Sequence, residues 1–138
     1  MTFYTNMSLP DGSWESTKTV YDPCPAGWRV PEGGGDGVWA KALGTSAFVS
    51  LPIDSSKRGI NFAGTYGDSE CIWYPASGSR NYSLGRLNDV GGYGVYWSAS
   101  PNSNNAFSLD FNYLGGVYPS CNYNRAYGNS VRCLQESK

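Results

Sequence analysis

Histidine is absent from this chain of 138 residues, and charged residues make up only 15% of it. Without histidine, neither a Ser–His–Asp nor a Cys–His nucleophilic arrangement can form, and a zinc site would need cysteines alone or cysteines assisted by carboxylates. The formal net charge of −1 provides no long-range field to attract nucleic acid or an anionic membrane. The sequence therefore excludes histidine-based catalysis and favours neither nucleic-acid binding nor direct membrane insertion.

Other common signals are also missing. No apolar run approaches the roughly eighteen residues that a membrane span needs. No GxxxxGK[ST] phosphate loop is present, and the glycine-rich run at 33–37 is interpreted as a turn. Residues 1–17 have neither the basic start nor the apolar stretch of a signal peptide. We therefore expect the chain to be a piece cut from a longer protein. Residues 1–17 would form a lead-in segment, and residues 18–138 would form one domain.

Aromatic residues, in contrast, are abundant. They supply 15% of the chain, with 11 tyrosines and 5 tryptophans. Tyrosine and tryptophan provide large contact areas at low entropic cost. A hydrophobic content of 40% over this length is enough for one domain with its own core.

Short strands separated by clusters of Gly, Ser, Asn and Pro dominate the sequence pattern. We predict strands at residues 17–20, 59–63, 72–75, 95–98, 106–111 and 130–134. Residues 38–43 combine good helix formers with an apolar face, and Gly44 is placed to end that helix. The pattern indicates an α+β fold.

Two of these strands alternate in polarity. Positions 107, 109 and 111 share one face of their strand, and positions 108 and 110 share the other. Val131 and Cys133 lie together, opposite Arg132. Residues 112–129 show little periodicity, so we predict a long ordered loop there that folds onto the body and shows its tyrosines to solvent.

The sequence contains little evidence for catalytic or metal-binding groups. Glu32 with Asp36, or Asp68 with Glu70, could perform acid–base chemistry, but such pairs are common on any surface and are interpreted as solvated loop charges. The carboxylates that could bind calcium do not repeat the spacing of a known calcium loop; they are Asp68, Glu70, Asp89 and Asp110. We predict no catalytic residue, no metal site and no cofactor.

The four cysteines allow three full pairings, and none of them forms a CxxC motif. One or two disulfides would indicate an extracellular or surface setting. Buried free thiols are the alternative that the sequence leaves open.

Four blocks of sequence resemble one family. In order, they are KTVYDPCPAGWRVP at 18–31, WYPASGSRN at 73–81, YWSASP at 96–101 and NRAYGNSVRCL at 124–134. Together they resemble the C-type-lectin-fold domains of the major paralogous domain type, which are C-terminal modules of surface proteins in gut bacteria and their phages. The resemblance implies a C-type lectin fold with a small twisted antiparallel sheet, one or two helices and long ordered loops. It also implies that the two terminal segments lie side by side.

The resemblance has consequences for the cysteines. If the terminal segments are neighbours, Cys24 and Cys133 come within reach of each other, and we expect them to form a disulfide. Cys71 and Cys121 are either a second pair or, for Cys121, the product of a varied codon.

A subset of this family is similar to the variable proteins of diversity-generating retroelements, in which adenines of a template are rewritten. Residues 96–130 are roughly half Asn, Tyr and Ser, a bias shared with antibody contact loops. This interpretation predicts exposed, exchangeable ligand-binding positions at Ser108, Asp110, Tyr113, Leu114, Tyr118, Cys121, Tyr123, Tyr127 and Asn129. It assigns to the scaffold Phe107, Leu109, Phe111, Val131 and Cys133. The alternative is an ordinary surface loop whose tyrosines pack inward.

The function predicted from the sequence is therefore a non-enzymatic receptor-binding or adhesin domain, extracellular on a cell surface or phage virion. Its partner would be a protein or glycan on a target cell, and its parent a longer surface protein, pilus or phage tail assembly. One alternative is a carbohydrate-binding lectin without the usual calcium-site triplets, to which Leu87-Asn88-Asp89 is the nearest approach. Another is an enzyme of the formylglycine-generating type, for which Cys71 or Cys121 would have to serve.

Overall fold

The computed structural model describes residues 17–50, 53–54, 58–62 and 72–136. Within these ranges the chain forms one short helix, α1 (Val38–Leu43), and eleven strands in four small antiparallel sheets. The strands are β1 (Trp28–Arg29), β2 (Val49–Ser50), β3 (Ile53–Asp54), β4 (Gly59–Asn61), β5 (Trp73–Pro75), β6 (Ser79–Arg80), β7 (Leu87–Asn88), β8 (Tyr93–Asn102), β9 (Asn105–Asn112), β10 (Gly116–Asn124) and β11 (Leu134–Gln135). The result is a small mixed fold, mostly sheet with very little helix. No helix in the described part is long and apolar enough to cross a membrane.

The largest sheet has four strands in the order β2-β10-β9-β8. Its three long members, β8, β9 and β10, follow one another along the chain as antiparallel neighbours. The other sheets are small: β1 pairs with β11, β3 with β4 and β4 with β5, and β6 with β7. The candidate site is built on the four-stranded sheet.

One face of this sheet, here called the inner face, forms the core. Leu109 and Phe111 of β9 point to it, with Tyr96 of β8 and Val117 of β10 beside them. These side chains pack with Trp39 of α1 and with residues of the neighbouring small sheet, Ile60, Tyr74 and Ala76. Burying each large apolar side chain stabilises the fold by about 1.5–3 kcal/mol. The sequence placed Leu109 and Phe111 in the scaffold, and the structure agrees.

The helix α1 has the bounds that the sequence predicts. Gly44 adopts φ 70°, a left-handed conformation that glycine tolerates, and ends the helix. The N–H groups of Gly44 and Thr45 donate to the carbonyls of Lys41 and Ala40. Trp39 is 2% exposed, and its ring N–H donates to the hydroxyl of Tyr74 at 3.2 Å. The tryptophan thus anchors the helix to the core.

The terminal segments lie side by side, as expected. Cys24 and Cys133, 109 residues apart in sequence, form a disulfide with their Cα atoms 5.8 Å apart. Close by, Trp28 pairs with Gln135 and Arg29 with Leu134. A cross-link that closes a loop of this length removes on the order of 4 kcal/mol of unfolded-state entropy. The predicted Cys24–Cys133 disulfide is confirmed.

Two predicted strands are wrong in large part. Residues 17–20 form no strand, because the chain turns there and the N–H of Asp22 donates to the carbonyl of Thr19. Of residues 130–134, only Leu134 belongs to a strand, and Ser130 makes a single bridge to Tyr96. Val131 is 40% exposed, so its assignment to the scaffold is also wrong. Val131 and Cys133 therefore do not share the buried face of a strand. Val131 is exposed, and Cys133 belongs to the disulfide.

The long loop predicted at 112–129 is wrong as well. Its middle is the nine-residue strand β10, joined to β9 by a short turn at 113–115. Only one helix lies within the described residues, so the second helix implied by the resemblance is not among them. Of the predicted lead-in at 1–17, all but Thr17 lies outside the described residues.

Candidate functional site

Five of the predicted contact residues share one face of the four-stranded sheet. In the pairing of β9 with β10, Asp110 is opposite Tyr118, Ser108 is opposite Cys121, and Ala106 is opposite Tyr123. Because side chains alternate along a strand, all of these point away from Leu109 and Phe111 of the inner face. The outer face of the sheet is defined here as Ser108, Asp110, Tyr118, Cys121 and Tyr123, with Val95 and Trp97 of β8.

A β-bulge in β10 makes this shared face possible. Tyr118 and Cys121 are three residues apart and would point to opposite faces of a regular strand. The register of β10 against β9 shifts between Tyr118 and Cys121, which places one extra residue in β10 and brings both side chains to the same face. Pro119, which has no N–H to offer a sheet ladder, lies at the bulge and is fully buried.

The contact residues differ widely in exposure. Tyr113 (60%), Leu114 (77%) and Tyr118 (43%) are exposed. Four more of them are partly buried, namely Cys121, Tyr123, Tyr127 and Asn129. Ser108, at 0%, and Asp110, at 8%, are buried, so the expectation that these two are exposed is wrong. Both lie on the central strand β9, with Trp97 and Cys121 on either side of Ser108 and with Val95 and Tyr118 on either side of Asp110. Their neighbours on β8, Val95 and Trp97, are buried as well.

Asp110 is the centre of a small polar cluster. The hydroxyl of Tyr123 donates to Oδ2 of Asp110 at 2.7 Å, and the thiol of Cys121 lies 4.0 Å from the same oxygen. The other carboxylate oxygen, Oδ1, is buried and has no hydrogen-bond partner among the residues that the structure describes, and the same holds for the buried Oγ of Ser108.

Burial shifts the pKa of each titratable member of this cluster. The pKa of Asp110 is raised, mainly by burial, although the Tyr123 hydrogen bond opposes the shift. The pKa of Tyr123 is raised by burial and by its hydrogen bond to Asp110. Burial, followed by the neighbouring charge of Asp110, raises the pKa of the Cys121 thiol. A thiol with a raised pKa is a weak nucleophile at neutral pH.

Aromatic rings extend the outer face beyond the sheet. The ring of Tyr127 lies 5.4 Å from that of Tyr123 and 5.1 Å from that of Tyr82. On β10, Tyr118 packs against Phe48 with a centroid distance of 5.1 Å. Tyr82 and Phe48 are 51% and 54% exposed. The sequence analysis missed both, because each lies outside the Asn/Tyr/Ser-rich segment and is brought to the outer face only by folding.

Tyr113 and Leu114 lie apart from the outer-face residues, on the turn between β9 and β10. Tyr113 packs edge-on against Tyr93, with ring centroids 6.5 Å apart. It also lines a cavity of about 400 Å³, whose other lining residues include Arg58, Asp89, Val90, Phe111 and Asn112. The predicted contact residues are thus not contiguous: five lie on the outer face, whereas Tyr113 lies at this cavity.

Asn129 occupies a third environment, beside the edge strand β8. Its neighbours Gly128 and Ser130 bridge to Arg80 and Tyr96 respectively. Both polar atoms of the Asn129 amide are buried, with no hydrogen-bond partner in the described part of the chain. The polar end of this partly exposed residue is therefore not presented on the surface.

The remaining sequence candidates are paired, exposed or outside the described residues. Glu32 forms an ion pair with Arg29 at 2.8 Å, while Asp36 is exposed. Asp68, Glu70 and Cys71 lie outside the described residues, and Cys121 carries a free thiol. Among the residues that the structure describes, no group of three or more Cys, Asp and Glu side chains could hold a metal ion.

Searches against protein-family models, curated proteins and solved structures find no match to this chain.

Proposed function

We propose that this chain is a non-enzymatic ligand-binding domain and that the outer face, continued by Tyr127 and Tyr82, is its contact surface. The observation that carries the proposal is the position of the bulge in β10. It turns Tyr118, Cys121 and Tyr123 to one side of the sheet, opposite the apolar core. Tyrosines on a rigid sheet combine apolar area with hydrogen bonding and lose little entropy on binding.

In this proposal the inner face of the sheet stabilises the fold, and the outer face makes the contact with the ligand. The inner face is fully buried against α1 and the small sheets. On the outer face, Tyr118 is exposed and Tyr123 is partly exposed. Beside that face, Tyr127 is partly exposed too. The other outer-face residues on β8 and β9 are buried, namely Val95, Trp97, Ser108 and Asp110. Substitutions at these tyrosines would leave the core contacts in place. A surface whose residues exchange without loss of the fold suits a receptor-binding or adhesin domain.

The finer form of the proposal is a C-type-lectin-like variable protein of a diversity-generating retroelement, acting outside the cell, on a cell surface or phage virion. The four sequence blocks support the family, and the disulfide is compatible with an extracellular setting. Its target would be a protein or glycan on another cell, reached through a longer surface protein, pilus or phage tail.

The gene's surroundings test the retroelement form of the proposal. We expect a near-copy of the segment that encodes residues 96–134, differing from it only where the copy carries adenine. Sequencing the source locus would show it. A locus without such a copy would make the tyrosines a fixed feature and would refute the retroelement form, while leaving the contact surface itself to be tested by binding.

Carbohydrate binding without calcium is a second candidate, and the Tyr113 cavity favours it. An aromatic ring, an amide at Asn112 and charged groups at Arg58 and Asp89 surround a space of about 400 Å³. Sugars bind to sites of this kind by stacking on a ring while polar groups fix their orientation. An enzyme of the formylglycine-generating type is disfavoured, because the raised pKa of Cys121 weakens that thiol as a nucleophile.

Serine substitutions test the contact surface and separate the two candidates. The purified, fluorescently labelled domain would be screened on a glycan array and on intact gut bacterial cells. We expect the double variant Tyr118→Ser/Tyr127→Ser to lose at least tenfold in affinity for the target found. Its thermal stability should change little, because surface substitutions usually cost about 0.5 kcal/mol or less and a lost ring pair about 1 kcal/mol.

Two matched single variants complete that experiment. Tyr21→Ser removes a tyrosine that is 47% exposed in the N-terminal segment and should bind like the wild type. Tyr113→Ser removes the aromatic wall of the cavity. Loss of binding in Tyr113→Ser alone would assign recognition to the cavity. Unfolding of the double variant would show that its tyrosines are part of the core, contrary to the proposal.

A further inference from the structure

The carboxylate of Asp110 is buried without a balancing cation. Its side chain is 8% exposed, and no ion pair involving it occurs among the described residues. Its polar neighbours are the hydroxyl of Tyr123 and the thiol of Cys121, both on Oδ2. Oδ1 has no partner. A buried carboxylate with an unused oxygen is unfavourable unless a cation or a hydrogen-bond donor completes it.

The surroundings of Asp110 are those of a cation site. Tyr118 lies directly across from Asp110 on β10, and the ring of Tyr123 reaches it through the hydroxyl. On the other side, Val95 of β8 is 3% exposed and closes the site with apolar surface. A carboxylate beside tyrosine side chains can bind a cation by direct charge pairing, and a neighbouring ring can add cation–π attraction.

Ser108 adds a second acceptor. It lies two residues before Asp110 on the same face, and its Oγ is buried without a partner. A guanidinium group carries five N–H donors in a planar fork, so one group can reach two acceptors at once. An ammonium group is a compact point charge and matches the pair of acceptors less well.

We propose that Asp110 and Ser108 form the anchor of a recognition site for a cationic side chain, an arginine of a target protein, inserted between Tyr118 and Tyr123. The inference rests on the proposed function and deepens it, because it selects a protein target over an uncharged glycan. Ser108 and Asp110 are 0% and 8% exposed, so binding requires a local movement of the outer face. Tyr118, at 43% exposure, is the exposed side chain directly across from Asp110.

The probe for this site is N-acetyl-arginine methylamide, with N-acetyl-citrulline methylamide as its uncharged isostere. Each would be titrated into the intact domain while the side-chain carboxyl resonance of Asp110 and the ring resonances of Tyr118 and Tyr123 are followed by NMR. We expect saturable shifts with the arginine compound and none with the citrulline compound. Equal shifts with both compounds would overturn the proposal without reference to any variant.

Two variants test whether the negative charge of Asp110 is responsible for arginine binding. Asp110→Asn keeps an oxygen that accepts the Tyr123 hydrogen bond but removes the negative charge, and it should weaken arginine binding at least tenfold. Asp36→Asn removes an exposed carboxylate from the turn at 33–37 and should bind like the wild type. Undiminished binding by Asp110→Asn would refute the role of Asp110.

The outcome is separable from that of the proposed function. If the arginine compound fails while Tyr118→Ser/Tyr127→Ser still loses its cellular or glycan target, the outer face is a contact surface without a cation site. If both experiments fail, the proposed function fails with the inference.

Discussion

At the scale of single residues, Asp110 stands out because it keeps a carboxyl group away from water in the middle of a sheet. Its pKa is raised by burial, so the folded protein holds a proton on Asp110 more tightly than the unfolded chain does. Stability from this group is therefore present below the ordinary carboxyl pKa of 3.8 and is lost as pH rises through the higher folded value. Asp110 therefore lowers stability at neutral pH.

The variant Asp110→Asn should remove this pH dependence. We expect its free energy of unfolding to match the wild type more closely at pH 3 and to exceed it at pH 7, by on the order of 1 kcal/mol. Urea denaturation at pH 3, 5 and 7 would measure the difference. The titratable groups that face Asp110 are Tyr123, Cys121 and Tyr118, and all three remain in the variant.

Asp22 provides the opposite trend in the same molecule. Burial raises the pKa of Asp22, but hydrogen bonds from the backbone N–H groups of Val30 and Cys24, together with Lys18, outweigh it and the pKa is lowered. Asp22 therefore stabilises the fold above pH 3.8, and this contribution is lost as pH falls through its lowered folded value. Taking the difference between Asp110→Asn and the wild type cancels the Asp22 contribution. A difference that stays constant across the pH range would contradict the account of Asp110.

At the scale of elements, the pairing of β8 with β9 depends on a close approach at Gly94. Gly94 lies opposite Phe111, and a Cβ placed on it would come within 2.0 Å of the Phe111 ring. The ring is 1% exposed and is held by the core, so it has no room to withdraw.

We therefore expect Gly94→Ala to destabilise the domain by about 1–3 kcal/mol through overpacking. Gly35→Ala is the matched control, because the nearest atom to its new Cβ is the Ser46 side chain at an ordinary 3.8 Å. Thermal melts of the two variants would measure the effect. Equal melting temperatures would show that the inner face is less tightly packed than the contacts indicate.

The elements also show what the sequence can and cannot predict. The helix α1 follows from local signals, an apolar face and a terminal glycine, and its bounds were predicted correctly. The strand β10 was missed because its bulge interrupts the alternation: Val117 and Pro119 are buried, whereas Tyr118 and Cys121 point the other way. For β9 the faces were predicted correctly but the exposure was not, since alternation shows which side chains share a face and not how far that face is covered in the folded chain.

At the scale of the whole molecule, the least predictable features are those assembled from distant segments. The cavity beside Tyr113 combines Arg58, residues 89–92 and residues 111–113, which no local pattern relates. The packing of Tyr82 on Tyr127 likewise depends on the tertiary fold. The Cys24–Cys133 pair could be expected because the family resemblance itself implies that the terminal segments are neighbours.

That disulfide has a mechanical consequence. When the chain is pulled from the segments before Cys24 and after Cys133, the tension crosses between their Cα atoms, 5.8 Å apart, and bypasses the 109-residue span between the two cysteines. The four-stranded sheet and its outer face lie within that span. A covalent bond withstands forces that would unzip hydrogen-bonded strands. A pull applied between the two chain ends therefore leaves the strands of this sheet, and the contact residues on them, unloaded.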